Sequence, residues 1–109
     1  MKQVHKESYV EALLRDGMKR IGGKAYKFES PGNAGVPDRI IIFPNGKIEF
    51  VELKSENGVV RPLQASKMRE LESLHQTVRV VKGIDELADY FSDHGYGAVE
   101  DWIRGRKKV

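Results

Sequence analysis

Asp38, Glu52 and Lys54 stand in one run of the sequence, GVPDRIIIFPNGKIEFVELK, and their types and order fit hydrolysis of a phosphodiester. Two carboxylates offer oxygen ligands to a hard cation. Mg²⁺ typically takes one or two protein carboxylates and completes its octahedron with water and phosphate oxygen. An ion so held polarises the phosphate, stabilises the leaving oxygen and lowers the pKa of an attacking water. Lys54 would orient that water or help deprotonate it, or neutralise charge developing on the phosphate. Glu-x-Lys alone also describes a surface ion pair, and Asp38 alone a turn starter. The ordered combination is the specific signal.

The hairpin that must position these groups is legible in the residues between them. Residues 38–43 form a β-branched apolar run, Pro44-Asn45-Gly46 is turn chemistry, and residues 47–54 resume as strand formers. With Pro44 to Gly46 as the loop, Phe43 pairs with Lys47, and counting back along both strands puts Asp38 opposite Glu52. Opposed Cβ atoms in an antiparallel pair lie about 4.5–5.5 Å apart. Lys54 shares the face of Glu52 because side chains alternate along a strand. A two-residue Asn45-Gly46 loop would instead shift the register by one and separate Asp38 from Glu52, unless a bulge restored the match. Opposed carboxylates repel, so the three-residue loop demands a compensating cation.

Pro31-Gly32, Gly35-Val36-Pro37-Asp38, Glu52-Leu53-Lys54 and Arg61-Pro62-Leu63-Gln64 together resemble the VRR-NUC family of the PD-(D/E)XK nuclease superfamily. The resemblance spans roughly residues 8–91 and is strongest to small stand-alone bacteriophage members. It implies an α/β fold with a restriction-endonuclease-like core, a central mixed sheet of about four strands flanked by helices in the order αβββαβ, and a C-terminal helical extension. It further implies Asp38 and Glu52 as metal ligands, the Leu53 main-chain carbonyl as another, Lys54 as the catalytic lysine and Gln64 as the glutamine supporting the site. Glu11 would be the acid on the first helix that helps hold the metal or its water. Mg²⁺ or Mn²⁺ is the implied cofactor. The implied activity is structure-selective cleavage of branched DNA, including Holliday-junction resolution as a homodimer.

The remaining elements follow from pattern. Residues 8–20 carry Tyr9, Leu13, Leu14 and Met18 at helical spacing before Gly22-Gly23, and residues 24–30 read as a short strand. Residues 30–37 are a Gly- and Pro-rich loop that delivers the chain to Asp38. Ile40 and Ile42 share the Asp38 face while Ile41 and Phe43 take the other; apolar residues on both faces imply helices on both sides of the sheet. Pro62 opens a second helix running to about residue 75, with Leu63, Leu71 and Leu74 as its buried stripe and Met68 at the margin. Gln64 in its first turn comes within reach of the Glu52-Leu53-Lys54 strand end. Residues 77–81 form a strand parallel to 47–54, and residues 84–91 a core-covering helix. Residues 98–103 read as a short helix presenting Trp102 and Ile103, to the core or to a second subunit. Ser8-x-x-Glu11 also matches a capping box, so Glu11 serves either the helix start or the metal.

A chain of 109 residues makes one domain, here residues 1–109 with a core at 8–91 and an extension with a basic tail at 92–109. There is no cysteine, which removes disulfides and thiolate metal sites and fits a reducing interior, the cytoplasm of a host cell if the chain is phage-encoded. No run of eighteen apolar residues suggests membrane insertion. His5, His75 and His94 lack ligand-spaced partners and read as ordinary histidines rather than zinc ligands. The formal net charge is +3, with cations at Lys24, Lys27, Arg61, Lys67 and Arg69 and in the closing Arg104, Arg106, Lys107 and Lys108. Of these, Lys27, Arg61 and Lys67 are the candidate contacts to DNA phosphates, against the alternative of a solvated surface. The expectation is a Mg²⁺- or Mn²⁺-dependent endodeoxyribonuclease acting on branched DNA. The alternatives are a nickase or flap endonuclease in phage replication or packaging, or a nuclease fold that binds DNA without cutting.

Overall fold

In the computed structural model, which describes residues 3–107, the chain runs α1 (Glu7–Arg20), β1 (Lys24–Lys27), β2 (Arg39–Ile42), β3 (Ile48–Lys54), α2 (Pro62–Ser73), β4 (Val78–Lys82), α3 (Gly83–Asp93) and α4 (Gly97–Arg104). The strands form one sheet in the order β1-β2-β3-β4, antiparallel except for the β3–β4 pair, which α2 connects. Lys108 of the closing basic cluster lies outside the described residues.

The hairpin takes the three-residue loop. Arg39 pairs with Val51 and Ile42 with Ile48, and Phe43 N–H donates to the Lys47 carbonyl at 2.9 Å. Gly46, at φ 89°, closes the turn by donating to the Phe43 carbonyl. Extending that register brings Asp38 level with Glu52.

The two faces of the sheet are covered unequally. On one, Arg39, Ile41, Phe43, Val51 and Leu53 meet α1, α3 and α4, and Val10, Leu14, Met18, Ile84, Leu87, Phe91 and Ile103 complete a continuous core. Fully burying a side chain of this size contributes about 1.5–3 kcal/mol. On the other, only α2 lies near the sheet, against β4. Tyr26 and Ile48 remain 55% and 50% exposed. The stripe expected on α2 is likewise only partly used. Met68 is the residue it buries, Leu71 is half-buried, and Leu63 and Leu74 are exposed. The physical reason is placement: α2 crosses one margin of the sheet, so its contact line is too narrow to cover three leucines.

Two local details bear on the site. The capping box at Ser8 and Glu11 does not form: α1 starts one residue earlier, with Lys6 at its N-cap and no side-chain cap. The loop before Asp38 is pressed against α2. Gly35 has φ +90°, and a Cβ there would lie 2.9 Å from Leu63 Cγ and 3.0 Å from its carbonyl oxygen, so a side chain is excluded twice over. Behind the strand end, Glu56 gathers three segments. It accepts the His5 N–H at 2.8 Å and the Ile84 N–H at 3.2 Å, and it pairs with His5 Nδ1 at 2.6 Å.

Candidate active site

Asp38 and Glu52 converge because both lie on the α2 face at the same end of the hairpin. Asp38 is half-buried and anchored through its main chain and side chain: its carbonyl accepts the Phe28 N–H at 2.8 Å, and Oδ2 accepts the Leu53 N–H at 3.0 Å. A strand residue's N–H and C=O leave the same edge, so the Leu53 carbonyl is directed toward the Asp38 side. Glu52 is 2% exposed. Its Oε2 accepts the Gln64 amide at 3.0 Å and lies 3.3 Å from Lys54 Nζ, whereas its Oε1 is buried without a hydrogen-bond partner. Burial, then the Asp38 charge, pushes the Glu52 carboxyl up to about 7 against the opposing pull of Lys54.

Gln64 is positioned by the start of α2. Pro62 opens the helix, and the Gln64 side-chain oxygen accepts the Arg61 N–H at 2.9 Å while its NH₂ reaches Glu52. One side chain thus caps a helix and fixes a carboxylate.

Glu11 comes from α1 to the same end of the molecule, where it is ion-paired with Arg39. Arg39 is buried, donates also to the Ala25 carbonyl at 3.1 Å, and leaves its Nε unpartnered. Two further residues emerge that sequence reasoning passed over. Arg39 is one, the holder of Glu11. Glu7 is the other: burial and the nearby Asp38 charge hold its carboxyl above the usual range, with Lys54 opposing. The available signal was spacing, since Glu7 and Glu11 are i and i+4 on one helix and share a face.

The chain matches the profile of the VRR-NUC domain over residues 5–85. It is 42% identical over 80 residues to "Putative nuclease p44" of Acyrthosiphon pisum secondary endosymbiont phage 1, covering 73% of this chain and 86% of that protein. The chain belongs to the VRR-NUC family. A solved VRR-NUC domain superposes with a TM-score of 0.74 at 28% identity, covering 84% of this chain and all of that one. A second solved VRR-NUC domain protein gives 0.68 at 21% identity over 87% of this chain and 91% of its own, a likeness of fold.

The VRR-NUC site suits a hard cation by its donor chemistry. Asp38 and Glu52 are oxygen donors, and Glu52 Oε1 is buried without a hydrogen-bond partner, a position that a bound cation would satisfy. Among the described residues no three acidic or imidazole side chains form an all-protein cage.

The expected DNA contacts are more scattered. Lys27 pairs with Glu29 at 3.1 Å and Lys67 with Glu70 at 3.3 Å, while Arg61 is exposed beside Gln64. In the closing cluster Arg104 pairs with Asp85, Asp89 and Glu100, and Lys107 with Asp85. Trp102 packs against the core beneath Arg20, whose guanidinium lies 4.0 Å from its ring centroid. His5 and His94 each face a carboxylate, Glu56 and Glu49. Among the described residues no helix is long and apolar enough to cross a membrane.

Proposed function

We propose that this VRR-NUC nuclease is a Mg²⁺- or Mn²⁺-dependent endodeoxyribonuclease that cuts branched DNA in the manner of a Holliday-junction resolvase, in the cytoplasm of its host cell. The observation that carries the reading is Glu52, a buried carboxylate with one oxygen unpartnered, beside Asp38 and within 3.3 Å of Lys54. Asp38, Glu52 and the Leu53 carbonyl would hold the metal, with Glu11 supporting it or its water from α1. When bound, the metal supplies Lewis acidity to the scissile phosphate and acidity to a water. Lys54 orients the attacking water and offsets charge growing on the phosphate oxygens. Gln64 keeps Glu52 in its rotamer, and the Leu53 N–H does the same for Asp38.

Resolving a four-way junction takes two symmetry-related incisions, so a two-fold homodimer is part of the proposal. The half-covered sheet face, with Ile48 exposed and Leu74 exposed just past the end of α2, offers apolar surface for that pairing. Light scattering on wild type and on Ile48→Lys tests it; a wild-type monomer at working concentration would remove the dimer from the reading.

The activity test is incubation with junction, flap, duplex and single-stranded substrates in Mg²⁺ or Mn²⁺. Paired symmetric cuts at the junction are expected, absent in Asp38→Asn and Lys54→Ala. Single nicks would mark a nickase or flap endonuclease. Metal-dependent incision on no substrate, or incision that persists in both variants, would overturn the catalytic assignment.

A further inference from the structure

Several cations are ion-paired within the fold: Lys27, Lys67, Arg104 and Lys107 of those named from the sequence, and Arg79 besides. Arg15, Lys19 and Lys24 are unpaired among the described residues, as Arg61 and Arg69 are, but these three are grouped. All three are exposed, and they line one groove of about 330 Å³ between the C-terminal half of α1 and β1, one of the two edge strands. Gly23, Ala25 and Tyr26 complete that lining, so the groove itself holds no carboxylate. Arg20 continues the positive surface into an adjoining hollow shared with Lys19 and Asp16. Cations in a helix's last turn are commonly explained by its dipole, which accounts for Lys19 and Arg20 but not for Arg15 or Lys24.

We infer that this groove carries the phosphate backbone of a DNA arm leaving the active site. The inference rests on the DNA-cleaving reading and adds the path the substrate takes. α1 and β1 both run from the site to the far end of the molecule: Glu7 and Lys27 lie near Asp38, and Lys24 pairs with Ile42 at the other end of β2. At about 1.5 Å rise per helical residue Arg15 lies roughly 12 Å beyond Glu7, and at about 3.4 Å per strand residue Lys24 lies roughly 14 Å from the level of Asp38. With base steps about 3.4 Å apart, those distances match phosphates about four nucleotides from the cut.

The test measures junction affinity across a salt series in an Asp38→Asn parent, so that binding is read without turnover. Each phosphate contact contributes about 0.9 to the slope of log K against log salt. Adding Arg15→Gln, Lys19→Gln and Lys24→Gln should make the slope shallower by about 2–3 with an unchanged melting temperature. A control with Arg104→Gln and Lys107→Gln should keep the parent slope. Neutral methylphosphonate linkages about four nucleotides from the cut should weaken the parent and leave the triple variant unaffected. An unchanged slope in the triple variant, or equal methylphosphonate penalties in both proteins, overturns the groove but not the nuclease reading. A parent that binds no junction at any salt overturns both.

Discussion

β3 buries two glutamates, Glu49 and Glu52, on opposite faces, and their surroundings differ in kind. Glu49 accepts the Tyr90 hydroxyl at 2.8 Å, pairs with His94 Nε2 at 3.0 Å and lies 3.2 Å from Lys47 Nζ. The other nitrogen of His94, Nδ1, lies 2.7 Å from the Tyr90 carbonyl and must donate to it, so the ring is fixed at both ends. Burial pushes the Glu49 carboxyl up, but the hydrogen bonds from His94, Tyr90 and Lys47 outweigh it and the net shift is downward. Glu52 has a short list of donors, a carboxylate for a neighbour and an unpartnered oxygen, and its net shift is upward. Burial alone therefore does not set the direction of a carboxylate's shift. What sets it here is how many donors the protein turns toward the buried oxygens.

Substitutions at the two ends should separate the roles. The largest effect belongs to the site: Asp38→Asn and Lys54→Ala should each lower kcat on the order of 10²–10³-fold with little change in thermal stability. Comparable cleavage by either variant would end the distinction. Next, Glu49→Gln should cost about 3 kcal/mol in denaturant unfolding at pH 7 while sparing kcat, since it breaks a buried charge network far from Lys54. Because the folded value of Glu49 is depressed, its stabilisation is present at neutral pH and is lost as the pH falls through that value, so wild type and variant should converge in acid.

Glu52→Gln should do the reverse, lowering kcat as far as the Asp38 and Lys54 substitutions do while stabilising the metal-free protein by about 2 kcal/mol at pH 8. The sign follows from its raised value, about 7 against an ordinary 4.5: the folded state holds the proton more tightly, so stability falls as the pH climbs between the two. Melting curves in a chelator should show the gain shrinking toward pH 4.5, and a variant less stable than wild type at pH 8 would refute the account. The smallest effect is Gln64→Ala, about tenfold in kcat and about 1 kcal/mol in stability, since it removes both a rotamer lock and a helix cap.

Much of this was readable beforehand where chemistry is local. The Asp38–Glu52 register followed from the turn residues because a hairpin converts sequence spacing directly into spatial opposition. Pro62 fixed where α2 starts and so put Gln64 in its first turn, but the residues alone read Gln64 as an exposed polar side chain, and only the family resemblance pointed it at Glu52. The Arg39–Glu11 pair was not readable, since it joins α1 to β2 through a packing angle that no pattern encodes. The α2 stripe misled for a related reason: Leu63 and Leu74 record an apolar face, and the pattern does not say whether this chain covers it. Charge was hardest to judge from sequence. The Arg104–Lys107 cluster looked free because Asp85 and Asp89 are distant along the chain, yet α3 and α4 lie side by side.

Glu56 has a further consequence when the fold is viewed as a closed circuit. The matched region begins at residue 5 and ends at residue 85, and this single carboxylate joins His5 to Ile84, just beyond the strand that carries Lys54. Its carboxyl is held down at about 2 despite burial, because the donors it gathers favour the anion. The Glu56 carboxylate thus stays ionised across the range where Glu52 titrates. Gly83 leaves it no slack, since a Cβ at that position would sit 2.3 Å from Glu56 Cδ. Removing the residues up to and including His5 would break the circuit just beyond the strand end that carries Lys54.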